Sequence, residues 1–145
     1  MIRRVLVVCI GNICRSPMAE GLLRQAVPEL HVSSAGMSAM VGYGADPIAV
    51  KIMADAGVDI TAHRARMLTD AIAREVDLIL VMDEQQKKII SQQFPYARGK
   101  VFRLGETASR DIPDPYKQDA EVFHHVFSMI ESGVNDWVKR INSIG

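Results

Sequence analysis

Both cysteines of the chain fall in one short stretch, VVCIGNICRSPMAE, residues 7–20. Cys9, five intervening residues, Arg15 and Ser16 form a loop between an apolar run and a Ser-Pro helix start. Such a loop can aim successive backbone N–H groups inward, and the helix beginning after it adds partial positive charge, so the two together make an anion nest. Gly11 and Asn12 are the residues best suited to left-handed backbone angles within it. Arg15 offers a planar fork that matches two oxygens of a phosphate. Cys9 would lie at the floor of this nest, where a helix N-terminus and nearby donors favour the thiolate. A hydroxyl from Ser16 can donate to that sulfur and stabilise the charge further. The chemistry this predicts is attack by Cys9 on a bound phosphorus, with Ile10, Gly11, Asn12, Ile13, Cys14 and Ser16 surrounding the phosphate.

Thiolate attack on a phosphomonoester needs a proton donor for the leaving oxygen. The segment Asp111-Ile-Pro-Asp-Pro-Tyr116 offers two carboxylates, and the prolines flanking Asp114 stiffen the backbone around it. The residues alone leave Asp111 and Asp114 both open. Other phosphate-binding patterns are absent: there is no Gly-Lys-Ser/Thr ending, and Gly42-Tyr43-Gly44 lacks a third glycine at the required place. His124 and His125 have no metal-ligand partner at useful spacing, and the loop chemistry calls for neither metal nor cofactor.

These residues need a frame that holds them. Val5 to Val8 reads as a strand buried on both faces of a parallel sheet. After the loop, Ser16 is expected to cap a helix with Pro17 in its first position, and Ala19, Leu22, Leu23 and Ala26 recur at helical spacing. Further strands are expected near Leu30 to Ser34, Leu78 to Met82 and Val101 to Leu104. Helices are expected from Pro47 to Ala56, stopped at Gly57, from Glu84 to Gln93, and from Asp119 to Ile141. Strands alternating with helices predict an α/β sheet, mostly parallel, with ligands at the carboxyl ends of its strands. Cys9 stands at the carboxyl end of the first.

A chain of 145 residues predicts one domain, residues 1–145, that buries roughly two thirds of its unfolded surface without disulfides. A formal net charge of zero argues against nucleic acid as the main partner. The apolar run after Arg3 and Arg4 is too short for a signal peptide, and no later run is long enough to insert in a membrane. The expected location is cytoplasmic, where two thiols are more often catalytic or redox-active than structural.

The nucleophile loop together with Asp114-Pro-Tyr116 closely resembles the low-molecular-weight protein tyrosine phosphatases. The likeness extends along the chain through Ser33-Ser34-Ala35-Gly36, Gly44-Ala45-Asp46-Pro47, His63-Arg64-Ala65-Arg66 and Val81-Met82-Asp83. It implies a four-stranded parallel sheet flanked by helices on both faces, with the phosphate-binding loop after the first strand. It further implies Cys9 as nucleophile, Arg15 as phosphate binder and Asp114 as general acid. His63 is implied to support the loop asparagine and to pair with Asp83. Cys14 is implied to trap an oxidised Cys9 as a disulfide. Met40, Tyr43 and Tyr116 are expected to wall a slot for a phenyl ring. The segment Ala39–Pro47, and Lys117 after Tyr116, resemble bacterial members that act with tyrosine autokinases in exopolysaccharide production, which implies a phosphotyrosine protein of that kind as partner.

Overall fold

In the computed structural model, which describes residues 1–144, the first strand β1 (Arg4–Cys9) is buried from Val5 to Cys9 and lies inside the sheet. β2 (His31–Gly36) and β3 (Leu78–Val81) pair with it in parallel on either side, and β4 (Val101–Arg103) extends β3, giving the order β2-β1-β3-β4. Cys9 is in register with Gly36 at the end of the β1–β2 ladder. The chain passes from β1 to one neighbour and later returns to the other, so the carboxyl end of β1 is the switch point where such sheets open a crevice.

Alternation along the strands sends side chains to two apolar layers. Val5, Val7, Leu78 and Leu80 face α1 (Arg15–Ala26), α2 (Pro47–Asp55) and α5 (Ala120–Ile144) through Met18, Leu23, Met53, Phe123, Val126 and Ile130. Leu6, Val8, Ile79, Val81 and Val101 face α3 (Asp70–Glu75), α4 (Glu84–Gln93) and a 3-10 segment (Pro95–Lys100) through Ala73, Ile90 and Ala97. Helices therefore cover both faces, as expected. Each fully buried Leu, Ile or Phe contributes about 1.5–3 kcal/mol relative to exposure. No helix among the described residues is long and apolar enough to cross a membrane.

Two local expectations need correction. α1 begins at Arg15, with Cys14 in the cap position and no side-chain cap bond; Ser16 lies inside the first turn, and Pro17 third in the helix. The serine hydroxyl is committed to the cysteine sulfur instead, and Pro17 is tolerated because first-turn N–H groups have no partner to lose. The short α3 was not foreseen. Thr69 caps it by accepting from Ile72 N, but with only Ala73 buried it carries almost no apolar periodicity. The other ends match within a few residues, and Asp46 and Asp83 cap α2 and α4 by accepting from Ile48 N and Gln86 N.

Candidate active site

The loop after β1 is built by tying its carbonyls outward. Cys9 O, Ile10 O and Gly11 O accept from the backbone N–H of Met37, Ser38 and Met40, and Ile13 O accepts from Asp46 N. Asn12 O accepts from His63 Nε2 at 2.6 Å, which fixes the proton on that ring nitrogen. With the carbonyls turned away, none of the N–H groups from Ile10 to Cys14 donates to another protein atom among the described residues. Five free donors in succession, followed by a helix start, make an anion nest. The close approach at its edge requires Gly36, where a Cβ would stand 2.6 Å from Ile10 O. Asn12 takes the left-handed conformation, φ 57°, while Gly11 does not use its freedom in that region.

The Asn12 side chain is fully buried and fully satisfied. Its Oδ1 accepts from Arg66 N at 3.0 Å, and its Nδ2 donates to Ser16 Oγ at 2.8 Å and Ser34 Oγ at 3.0 Å. Because Ser16 Oγ already accepts from the amide, its own proton is free to point at Cys9 Sγ, 3.0 Å away. By the same logic Ser34 Oγ donates onward to Glu20 Oε1. A chain of hydrogen bonds thus runs from Glu20 to the sulfur. Ser34, Glu20 and Arg66 were missed as members of it; the only sequence signal was Ser33-Ser34, two small polar residues in a buried strand.

Arg15 is 2% exposed. Its Nη1 donates to Ile112 O at 2.8 Å, its Nη2 stands 3.8 Å from Asp114 Oδ2, and its Nε has no partner. One side chain therefore braces the loop bearing Asp114 while keeping donors for a ligand in the nest. Asp114 Oδ1 accepts from Tyr116 N at 3.0 Å, which turns the half-exposed carboxylate over the mouth of the site. Asp111, the competing carboxylate, is taken up elsewhere by Arg103 Nη1 and Glu84 N. The geometry leaves Asp114 as the carboxylate beside Arg15.

Residues 4–144 match the family of the low molecular weight phosphotyrosine protein phosphatases. The chain belongs to that family. It is 52% identical to the probable low molecular weight protein-tyrosine-phosphatase EpsP of Ralstonia nicotianae, over 100% of both chains. It is 40% identical to the protein-tyrosine-phosphatase Wzb of Escherichia coli K12, over 99% of this chain and 98% of that one. Among solved structures, Vibrio vulnificus Wzb in complex with benzylphosphonate superposes with a TM-score of 0.94 at 37% identity, covering 97% of this chain and 99% of that one. The protein is accordingly a low-molecular-weight protein-tyrosine-phosphatase.

The cleft of this phosphatase is about 160 Å³ and is lined by Cys9, Ile10, Gly11, Ile13, Cys14, Arg15, Ser38, Met40, Asp114 and Tyr116. Three expected residues are placed differently. Asn12 and Ser16 lie beneath the loop, where they hold it and the sulfur from behind. Tyr43 is 62% exposed and outside the lining, because its backbone pairs with Met40 and Ala65 and carries the ring past the mouth. Ser38 lines the cleft and was missed. The expected pairing of His63 with Asp83 is not made: His63 is bonded to Asn12 O, and Asp83 is occupied as the cap of α4. Both cysteines are free and buried. Burial, with Asp46 next, pushes the Cys14 thiol well above its ordinary range, so it stays protonated at neutral pH. A larger groove of about 680 Å³ runs behind the loop past Glu20, Ser34, His63 and Arg66, but it holds no nucleophile.

Proposed function

We propose that this phosphatase hydrolyses phosphotyrosine in two steps through a phosphocysteine on Cys9. The observation that carries the reading is the ring of five free N–H groups around a sulfur at the end of β1, completed by Arg15. Cys9 Sγ attacks phosphorus in line, the bond to the tyrosyl oxygen breaks, and protonated Asp114 gives its proton to that oxygen. The loop amides and Arg15 hold the equatorial oxygens as their charge develops. A water then attacks phosphorus, Asp114 takes its proton, and the sulfur–phosphorus bond breaks to release phosphate. Ile10, Met40 and Tyr116 along the cleft supply apolar walls for the phenyl ring. The benzylphosphonate held by the Vibrio relative pairs a ring with a tetrahedral anion in the same way.

The physiological substrate in this reading is a bacterial tyrosine autokinase of exopolysaccharide or capsule production, dephosphorylated in the cytoplasm. The test is incubation of the host's phosphotyrosine proteins with the wild type and Cys9→Ser, with mass spectrometry of the quenched wild type. Loss of autokinase phosphotyrosine with wild type only, and phosphate on Cys9, is the expected result. Turnover by Cys9→Ser overturns the chemistry, and an untouched autokinase overturns the partner.

A further inference from the structure

The segment that carries Asp114 leaves β4 at Leu104 and returns to the chain's last helix at Ala120. Most of it is exposed. It turns on itself through Ser109 N to Glu106 O and Arg110 N to Gly105 O, and meets the body of the protein again at Asp111 and Ile112. Ile112 is pinned by its side chain, which is 1% exposed in the core, and by its backbone, whose N–H donates to Met82 O and whose carbonyl accepts from Arg15 Nη1. Asp111 is pinned by side chain. One oxygen, Oδ1, accepts from Arg103 Nη1 at 3.2 Å and from Glu84 N, in the first turn of α4, at 3.1 Å.

Arg103 is the last residue of β4, and its side chain is 15% exposed among three carboxylates. Its Nη2 donates to Glu106 Oε2 at 3.1 Å, its Nε stands 3.4 Å from Glu84 Oε2, and its own N–H donates to Glu106 Oε1. Its carbonyl accepts from Trp137 Nε1 in α5, which fixes the base of the side chain against the core. A guanidinium serves here where an ammonium would not, because three acceptors stand around one planar fork.

We propose that Arg103 and Asp111 are positioning residues for the general acid: they clasp the segment to β4 and α4 and so set where the Asp114 carboxylate stands relative to the leaving oxygen. The inference rests on the reading of Asp114 as that acid. Ile112 is the segment's other anchor and the rigid Pro113 joins it to Asp114, so with Asp111 released the segment is left to pivot about Ile112 and the carboxylate shifts with it. A clasp acting through the acid has a signature that general loss of structure lacks. It matters most when the leaving group is basic and needs the proton.

The test is kcat/KM for Arg103→Met, Asp111→Ala and the double variant, on phenyl phosphate, whose leaving group is basic, and on p-nitrophenyl phosphate, whose leaving group departs readily. Loosening the acid costs about 10-fold to 100-fold on phenyl phosphate, by the cost of small misplacements in proton transfer, and a clearly smaller factor on p-nitrophenyl phosphate. The double variant loses no more than the worse single, since both cut one link, and inhibition by inorganic phosphate is unchanged. Asp111 lies on the surface, so Asp111→Ala keeps the test valid should Arg103→Met unfold. Equal losses on the two substrates, or none, overturn the clasp. Asp114→Asn is measured alongside. If it shows the leaving-group dependence and the clasp variants do not, the clasp alone fails. If it shows none, the assignment of Asp114 fails and the clasp with it.

Discussion

The loop from Cys9 to Arg15 and the segment from Gly105 to Tyr116 carry the two halves of the chemistry and are held in opposite ways. In the first, the carbonyls of Cys9, Ile10, Gly11, Asn12 and Ile13 are all bonded outward, and Asn12 braces the interior with three hydrogen bonds. In the second, Ile112 and Pro115 are the buried residues beyond Gly105, and attachment depends on Glu106 beside Arg103 and Lys87, on Asp111 and Ile112, and on the buried arginine that reaches across from the first. A nest must hold its donors still before charge arrives, since preorganised dipoles do their work by not reorganising. The acid has to reach a leaving oxygen attached to a protein, and an exposed segment on few fastenings leaves room for one.

Removing the acid breaks the comparison on its weaker side. Asp114→Asn is expected to lower kcat/KM for phenyl phosphate by about 10²–10⁴, the range for losing a general acid, with phosphate still bound by the intact nest. Steady-state kinetics with phosphate as inhibitor checks both. An unchanged rate hands the role to another group, and Asp111 is the first to examine.

The same contrast explains what could be read from the residues beforehand. Strand, loop and helix start are contiguous, so Cys9, Arg15 and the sheet around them were legible from the buried run Val5 to Val8 and the spacing that follows. Asp114 was separable from Asp111 only by resemblance, because what distinguishes them is tertiary: Arg103 and Glu84 N on one, Arg15 on the other. Ser16 read both as a helix cap and as a donor to the sulfur; the fold keeps the second role and moves the cap position to Cys14. His63 and Asp83 both proved to be structural partners, but of Asn12 and of α4, not of each other. Tyr43 misled because Met40, three residues before it, does line the cleft, and a turn at Gly42, φ 84°, carries the tyrosine away.

A second substitution tests the stronger side from within. Asn12→Ala strips the partners of Ser16, Ser34 and Arg66 N, which costs about 1–3 kcal/mol in unsatisfied buried groups, and adds about 1–2 kcal/mol for a side chain at a left-handed angle. Asn12→Gly keeps the first cost and relieves the second. Thermal unfolding is expected to rank wild type above Gly above Ala. Both variants are expected to lose about 10-fold to 100-fold in kcat/KM and to bind phosphate more weakly, as donors drift from their places. If phosphate affinity holds in both, the amides are fixed by their outward carbonyl bonds alone.

The smallest effect sets the two cysteines of the same loop against each other. Cys9 Sγ receives a hydroxyl hydrogen bond and opens on the cleft, whereas Cys14 is pushed toward the protonated form by burial. Peroxide therefore oxidises Cys9 first, to a sulfenic acid, with release of water. Cys14 sulfur can then attack the Cys9 sulfur, and a second water leaves with the Cys14 proton to give a disulfide. The attack requires the thiolate, so formation of that bond is expected to accelerate as pH rises from 7 toward 9, by up to about tenfold per unit. Peptide mapping after one equivalent of peroxide measures it, and under excess peroxide Cys14→Ser is expected to lose recovery by dithiothreitol, because its sulfenic acid is oxidised on to the sulfinic acid. The raised thiol also makes a stability statement. Below pH ~8.5 both folded and unfolded Cys14 are protonated and its contribution is fully present; above it the unfolded chain ionises while the folded one does not, so stability falls by up to about 1.4 kcal/mol per unit. Cys14→Ser is expected to flatten that alkaline limb in denaturant titrations. Identical limbs would mean that Cys14 ionises in place despite its burial.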